Sequence, residues 1–251
     1  MQDNTLIDLT KRVEDIEIIL DKRGVKTVPP TRVGLSLDVS GSAQLLYRNG
    51  VMENTVARCL AVASKFDDNG EMDMWAFSHE FTQLPSATAA DYGNYVRNKL
   101  LPRQAPFFWK GTDYSPVMRG VDEFYFPNRP KRAAAAGGLL GRLFGRKEAA
   151  SPVADPASML PAHVLFVTDG EDSDDDEARV VELLAETEHL PVYWNMIGVG
   201  PSHRFSFIEQ LADRFGHVGF VNLADLQVGD DELYDQILGD EFVAWIRKLS
   251  A

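Results

Sequence analysis

Cysteine is almost missing from this chain. Cys59 stands alone among 251 residues, so no intrachain disulfide forms and no thiol pair exists to carry reductive chemistry. Long apolar runs are missing too, since none approaches the roughly 18 residues that a membrane-crossing helix needs. The opening Met1-Gln-Asp-Asn-Thr5 lacks the basic-then-apolar pattern of a secretory signal, and the expected compartment is the cytoplasm. Positive charge is scarce. The 25 Lys and Arg against 38 Asp and Glu leave a net charge of −13, which argues against an electrostatic grip on nucleic acid or an anionic membrane and favours cationic partners.

Several catalytic and nucleotide signatures are also missing. There is no GxSxG elbow and no HExxH. Gly198-Val-Gly200-Pro-Ser-His203 has His203 where a dinucleotide fingerprint needs its third glycine. Asp172-x-Asp174-x-Asp176 begins like an EF-hand loop, but Glu177 occupies the glycine position and Leu183 the twelfth. The stretch Asp169–Glu177, seven acidic residues in nine, reads instead as a solvated helix start that complements the helix dipole. The histidines His79, His163, His189, His203 and His217 are scattered and read as surface or satisfied core residues. Trp75, Trp194 and Trp245 sit in apolar text and read as core.

What is present is a regular alternation. With 45% hydrophobic residues the chain can bury a sizeable core. Strands are expected at 33–37, 72–77, 163–168, 192–199 and 218–221, with 79–84 as an antiparallel hairpin edge. Helices are expected at 52–66, 89–101, 115–124, 178–188, 204–215 and 231–249. Strands alternating with helices of this length imply βαβ units, hence a doubly wound, mostly parallel α/β sheet with helices on both faces. Ahead of it, Leu6, Leu9, Val13, Ile16 and Leu20 recur at spacings of 3, 4, 3 and 4. That stripe predicts a helix over 3–24, either packed on its own domain or available for dimerisation. Residues 1–30 are therefore this helix and a linker, and 31–251 the main domain.

Residues 128–162 break the rhythm. They combine Arg129, Lys131, Arg132, Arg142, Arg146 and Lys147 with Leu139, Leu140, Leu143 and Phe144 and a Pro/Ala/Ser-rich tract. The segment reads as a flexible insertion. Its short basic, amphipathic stretch is the one place where contact with an acidic partner or a membrane surface is expected.

The stretch that carries chemistry is Thr31–Ser42. An apolar strand runs into Asp38-Val-Ser40-Gly-Ser42, a carboxylate followed by two hydroxyls in a turn. In a doubly wound sheet, ligands bind at the carboxyl ends of the strands. The turn Lys110-Gly-Thr112-Asp113 and the strand end Phe166-Val-Thr-Asp169-Gly170 should meet Asp38 there. Asp38, Ser40, Ser42, Thr112 and Asp169 then offer only oxygen, which suits Mg²⁺ and leaves room for water and an outside acidic ligand. Mn²⁺ and Ca²⁺ are the alternatives. Trp109, just before the Thr112 turn, either lines the rim as an aromatic contact for a partner or packs in the core, and Asp113 of the same turn is the other partner-binding candidate.

These residues resemble a von Willebrand factor A (vWA) domain carrying a metal-ion-dependent adhesion site (MIDAS), whose pattern is DxSxS, a distant Thr and a more distant Asp. Further text is similar to the bacterial tellurium-resistance, TerF-type, vWA group: Phe66-Asp-Asp-Asn-Gly-Glu-Met-Asp73, Gly111-Thr-Asp-Tyr-Ser115, Leu165–Gly170, Val192–Gly200, Asp231-Glu-Leu-Tyr234 and Trp245. The resemblance covers about residues 31–250, with the insertion as a departure. It implies a vWA fold and a non-enzymatic adaptor in a tellurite or chemical-stress system. In it, Ser40, Ser42 and Thr112 supply hydroxyls, and Asp38 and Asp169 act directly or through water. A protein partner would offer a carboxylate to the metal. The alternative is a Mg²⁺-assisted phosphoryl-transfer or hydrolytic enzyme at the same site, with Asp113 as its base.

Overall fold

Among the described residues the apolar runs become six strands in one sheet. The computed structural model describes residues 2–127, 159–170, 173–223 and 228–249. In chain order the strands are β1 (Arg32–Asp38), β2 (Met72–Phe77), β3 (Phe81–Ala87), β4 (Ala162–Thr168), β5 (Val192–Gly198) and β6 (Val218–Asn222). Their spatial order is β3-β2-β1-β4-β5-β6. All neighbours are parallel except β2 and β3, which form the antiparallel edge. The order reverses between β1 and β4, so the crevice where ligands bind in such sheets opens at the carboxyl ends of those two strands.

Helices cover both faces. They are α1 (Gln2–Lys22), α2 (Gln44–Arg48), α3 (Val51–Phe66), α4 (Ser115–Tyr125), α5 (Asp174–Thr187), α6 (Ser206–Arg214), α7 (Asp230–Ile237) and α8 (Asp240–Leu249). Because side chains alternate along a strand, each strand feeds two cores. Leu165 and Val167 of β4 pack with α1, α3, α7 and α8 on one face. Val164 and Phe166 pack with α4, α5 and α6 on the other. Both sides of the inner strands are thereby buried, as their nearly continuous apolar sequence requires. Trp75, Trp194 and Trp245 are buried in these cores as expected.

The first helix uses its apolar stripe inside the molecule. Leu9, Ile16, Ile19 and Leu20 are buried, and α1 lies against α3 and α7. The side chain of Leu6 lies outside the described residues. Arg12 and Arg58 both pair with Asp230, at 2.7 and 2.8 Å, tying α1, α3 and α7 together. The alternation from residue 33 and this helix thus share one core.

Three expectations are corrected. The helix expected over 89–101 is instead a set of short turns, Ala89–Asp91, Val96–Leu100 and Leu101–Arg103. Gly93, at φ 71°, turns the chain out of helical geometry between the first two. The closing helix is two, α7 and α8, parted at Leu238-Gly239. The edge strand begins at Phe81 rather than 79 and extends to Ala87. The insertion expected at 128–162 falls, over 128–158, outside the described residues; Ala162 already belongs to β4.

Candidate metal centre

Strand β1 ends on Asp38, which is fully buried. Its Oδ1 accepts the Ser40 backbone N–H at 2.7 Å, and its Oδ2 accepts the Thr168 hydroxyl at 2.8 Å. The Tyr47 hydroxyl donates to the Asp38 carbonyl at 2.7 Å. From there the cluster runs outward. Ser40 Oγ and Ser42 Oγ lie 3.1 Å apart, and Ser42 Oγ donates to Asp169 Oδ1 at 3.0 Å. Four of the five residues expected from sequence therefore share one hydrogen-bonded cluster.

Thr112, the fifth, is buried in the adjoining loop. Its hydroxyl makes none of these bonds, but the backbone fixes the loop closely. Trp109 N–H donates to the Val39 carbonyl at 2.7 Å, and Gly41 N–H to the Lys110 carbonyl at 2.8 Å. Asp113 N–H donates to the Ser78 carbonyl at 2.9 Å, and Ser173 N–H to the Thr112 carbonyl at 3.0 Å. The three loops expected to meet do meet.

The rim residues are held differently. Trp109 is partly exposed, with φ 62°, and its ring meets Tyr47 edge-on at 5.2 Å. Few non-glycine residues adopt that backbone region without a surrounding structure that enforces it. Asp113 accepts a hydrogen bond from the Ser173 hydroxyl. The acidic run 169–177 is not all solvated. Asp176 is fully buried, and its carboxylate accepts from the backbone N–H groups of Tyr114 and Ser115 and from the Ser115 hydroxyl. A carboxylate of α5 thus caps the start of α4, directly behind the Thr112 loop.

The electrostatics favour a cation. Burial, reinforced by the facing Asp169 carboxylate, pushes the Asp38 carboxyl up to about 7, although hydrogen bonds from Ser40 and Thr168 oppose the shift. A divalent cation between the loops would relieve both the burial penalty and the mutual repulsion. Among the described residues, no group of three or more His, Cys, Asp or Glu is arranged to hold a metal. The donors here are carboxylate and hydroxyl oxygens, so the residues fit a hard cation of the Mg²⁺ class.

Two participants had little or no sequence signal. Thr168 sits inside the strand-end motif, and its hydroxyl meets Asp38, the Tyr114 hydroxyl and the Gly170 N–H. Arg204, whose Nη1 lies 3.4 Å from Asp169 Oδ2, comes from the turn after β5 and had none. The expectation for the histidines needs amending. His163 and His217 are buried with both ring nitrogens lacking a hydrogen-bond partner, rather than satisfied.

A doubly wound sheet of this order, with an Asp-x-Ser-x-Ser loop at its switch point, is the architecture of a von Willebrand factor A domain. The model of the vWA-TerF-like family, described as the vWA found in the TerF C terminus, matches residues 30–135 and 147–251. The chain belongs to that family. A Bacillus subtilis (strain 168) relative, "Uncharacterized protein YcbR", is 30% identical over 247 residues, 96% of this chain and 87% of that one. Among solved structures, a von Willebrand factor type A protein from Catenulispora acidiphila superposes with TM-score 0.51 at 14% identity, covering 85% of this chain and 44% of that one. The ArnB paralog VWA2 from Sulfolobus acidocaldarius gives 0.50 at 14% identity, covering 84% and 46%. The chain spans less than half the length of either structure, and the two likenesses concern the fold. Among the described residues, no helix is long and apolar enough to cross a membrane.

Proposed function

We propose that this protein is a metal-dependent interaction module that holds Mg²⁺, with Mn²⁺ or Ca²⁺ as alternatives, and uses it to bind an acidic group of a protein partner. Asp38, Ser40, Ser42, Thr112 and Asp169 hold the ion, directly or through water. The cation supplies a Lewis-acidic site for a carboxylate, and Trp109 offers an apolar contact beside it. The observation that carries this reading is the Ser40–Ser42–Asp169 relay beside the buried Asp38 carboxylate, which is itself held by the Ser40 N–H and the Thr168 hydroxyl. The setting we assign is an adaptor in a cytoplasmic tellurite or chemical-stress response, on the strength of the TerF-like family. Asp113, the base that a hydrolytic enzyme would need here, is engaged by the Ser173 hydroxyl, which supports a structural role for it.

The test is affinity capture from a native-host lysate on immobilised wild type, with and without EDTA, and on Ser40→Ala. A partner retained only by the metal-loaded wild type is the expected result. A partner set indifferent to both EDTA and Ser40→Ala would remove the role given to the metal.

A further inference from the structure

Asp169 divides its two oxygens. Oδ1 accepts from Ser42 at 3.0 Å, and Oδ2 faces the Arg204 guanidinium at 3.4 Å. The turn carrying Arg204 is locked to the Asp169 loop. Val199 N–H donates to the Thr168 carbonyl at 2.8 Å, and the Arg204 and Phe205 N–H groups donate to Pro201 and Ser202 carbonyls, each at 3.1 Å. Phe205 is fully buried against two glycines: a Cβ at Gly170 would lie 2.4 Å from its ring, and one at Gly198 2.7 Å. Gly170 itself has φ 96°, and a Cβ there would also lie 2.8 Å from the Arg204 carbonyl. A side chain at 170 is therefore excluded twice over, by backbone conformation and by space. The backbone that carries Arg204 is fixed to the metal loop by packing, whereas ordinary surface ion pairs rest on two flexible side chains.

The charge balance gives this placement a meaning. Two ionised carboxylates, Asp38 and Asp169, neutralise a divalent cation. Arg204 adds one positive charge beside Asp169, so the loaded centre is one unit more positive with it than without it. Its effects on the two ligands then have opposite sign. It repels the incoming metal ion, and it attracts the anion that completes the metal's coordination.

We propose that Arg204 is a specificity-determining residue of this site: it weakens binding of the cation and strengthens binding of a carboxylate to the loaded centre. This rests on the metal reading above. A second consequence is selectivity among partners, because a neutral oxygen ligand gains nothing from the extra charge while a carboxylate does.

The experiment uses the full chain, Mn²⁺ as the metal and acetate as the carboxylate. Free Mn²⁺ is counted by electron paramagnetic resonance. Acetate binding is read from the fall in water-proton relaxation as it displaces water from bound Mn²⁺. Arg204 is one-third exposed, so solvent screening moderates the effect. Arg204→Gln is expected to bind Mn²⁺ about three- to tenfold more tightly, and its loaded form to bind acetate weaker by a similar factor. Arg204→Lys, which keeps the charge, should stay within about twofold of wild type in both. Glu171 and Asp172, which lie outside the described residues, are the same in all three proteins. An arginine that is merely structural would weaken both ligands together in Arg204→Gln, and that result would overturn the proposal, as would unchanged affinities. Mn²⁺ binding by wild type that Arg204→Gln leaves unaltered removes Arg204's role alone. Failure of wild type to bind Mn²⁺ removes the metal reading and this proposal with it.

Discussion

Ser42 Oγ donates to Asp169 Oδ1 at 3.0 Å across 127 residues of sequence. This contact joins the loop after β1 to the loop after β4, the two strands that flank the point where the strand order reverses. Behind it, Thr168 performs a similar service for Asp38. Asp38 and Asp169 are each oriented by a neighbour that has its own place in the fold, and such supporting contacts set how well a metal is held.

Thr168→Val tests that support. Valine keeps the shape and removes the hydroxyl that donates to Asp38 Oδ2. The expected outcome is an affinity for Mg²⁺ lower by about tenfold, with the fold retained. Calorimetric titration of the variant against wild type measures it, and undiminished affinity would show that Asp38 needs no such orientation.

Gly170→Ala tests the packing of the Arg204 turn. The new methyl would meet the Phe205 ring at 2.4 Å and the Arg204 carbonyl at 2.8 Å, in a backbone conformation that alanine disfavours. Destabilisation by about 2 kcal/mol or more is expected from overpacking and strain combined. Urea unfolding reports it as a lower midpoint, and a midpoint equal to that of wild type would mean that the turn is looser than described.

Acid sensitivity follows from two buried histidines. Burial pushes His163 down to about 3 and His217 down to about 4, against 6.5 for the free side chain. Between those values the unfolded chain binds protons that the folded chain does not. Their contribution to stability is thus complete above pH 6.5 and is lost as pH falls towards the folded values. At pH 5 each costs up to about 2 kcal/mol. Asp38, pushed up to about 7, acts in the opposite sense in metal-free protein, because its folded carboxyl keeps a proton that the unfolded one releases. The histidine effect is therefore read as a difference. His163→Leu removes two unpartnered ring nitrogens and should flatten the decline in urea midpoint between pH 7 and pH 5 relative to wild type. An identical decline in both proteins would show that His163 does not titrate on unfolding.

Much of this site was legible in the sequence because its parts are short and contiguous. Asp38, Ser40 and Ser42 occupy one turn, and Asp169 follows an apolar strand that ends in Thr-Asp-Gly. The doubly wound class followed from periodicity alone, since each inner strand must be apolar on both faces. What was not legible depends on contacts between distant segments. Arg204 reaches Asp169 only because β5 lies beside β4 and Phe205 packs on Gly170 and Gly198. Asp176 looked like one more solvated acid, and its burial follows from the start of α4 needing acceptors for two backbone N–H groups. The break between α7 and α8 at Gly239 was hidden by apolar residues that continue a helical period on either side. The stripe of α1 announced a helix, but its partner became clear only from the ion pairs of Arg12 and Arg58 with Asp230.

The central claim is that Asp38 and its neighbours hold a divalent cation. Calorimetric titration of Mg²⁺ into wild type and Asp38→Asn tests it most directly, because asparagine preserves the shape of this fully buried residue and removes its charge. Saturable one-to-one binding by wild type and none by a folded Asp38→Asn is the predicted result. Equal affinity in the two proteins, or no saturable binding by wild type, would contradict it.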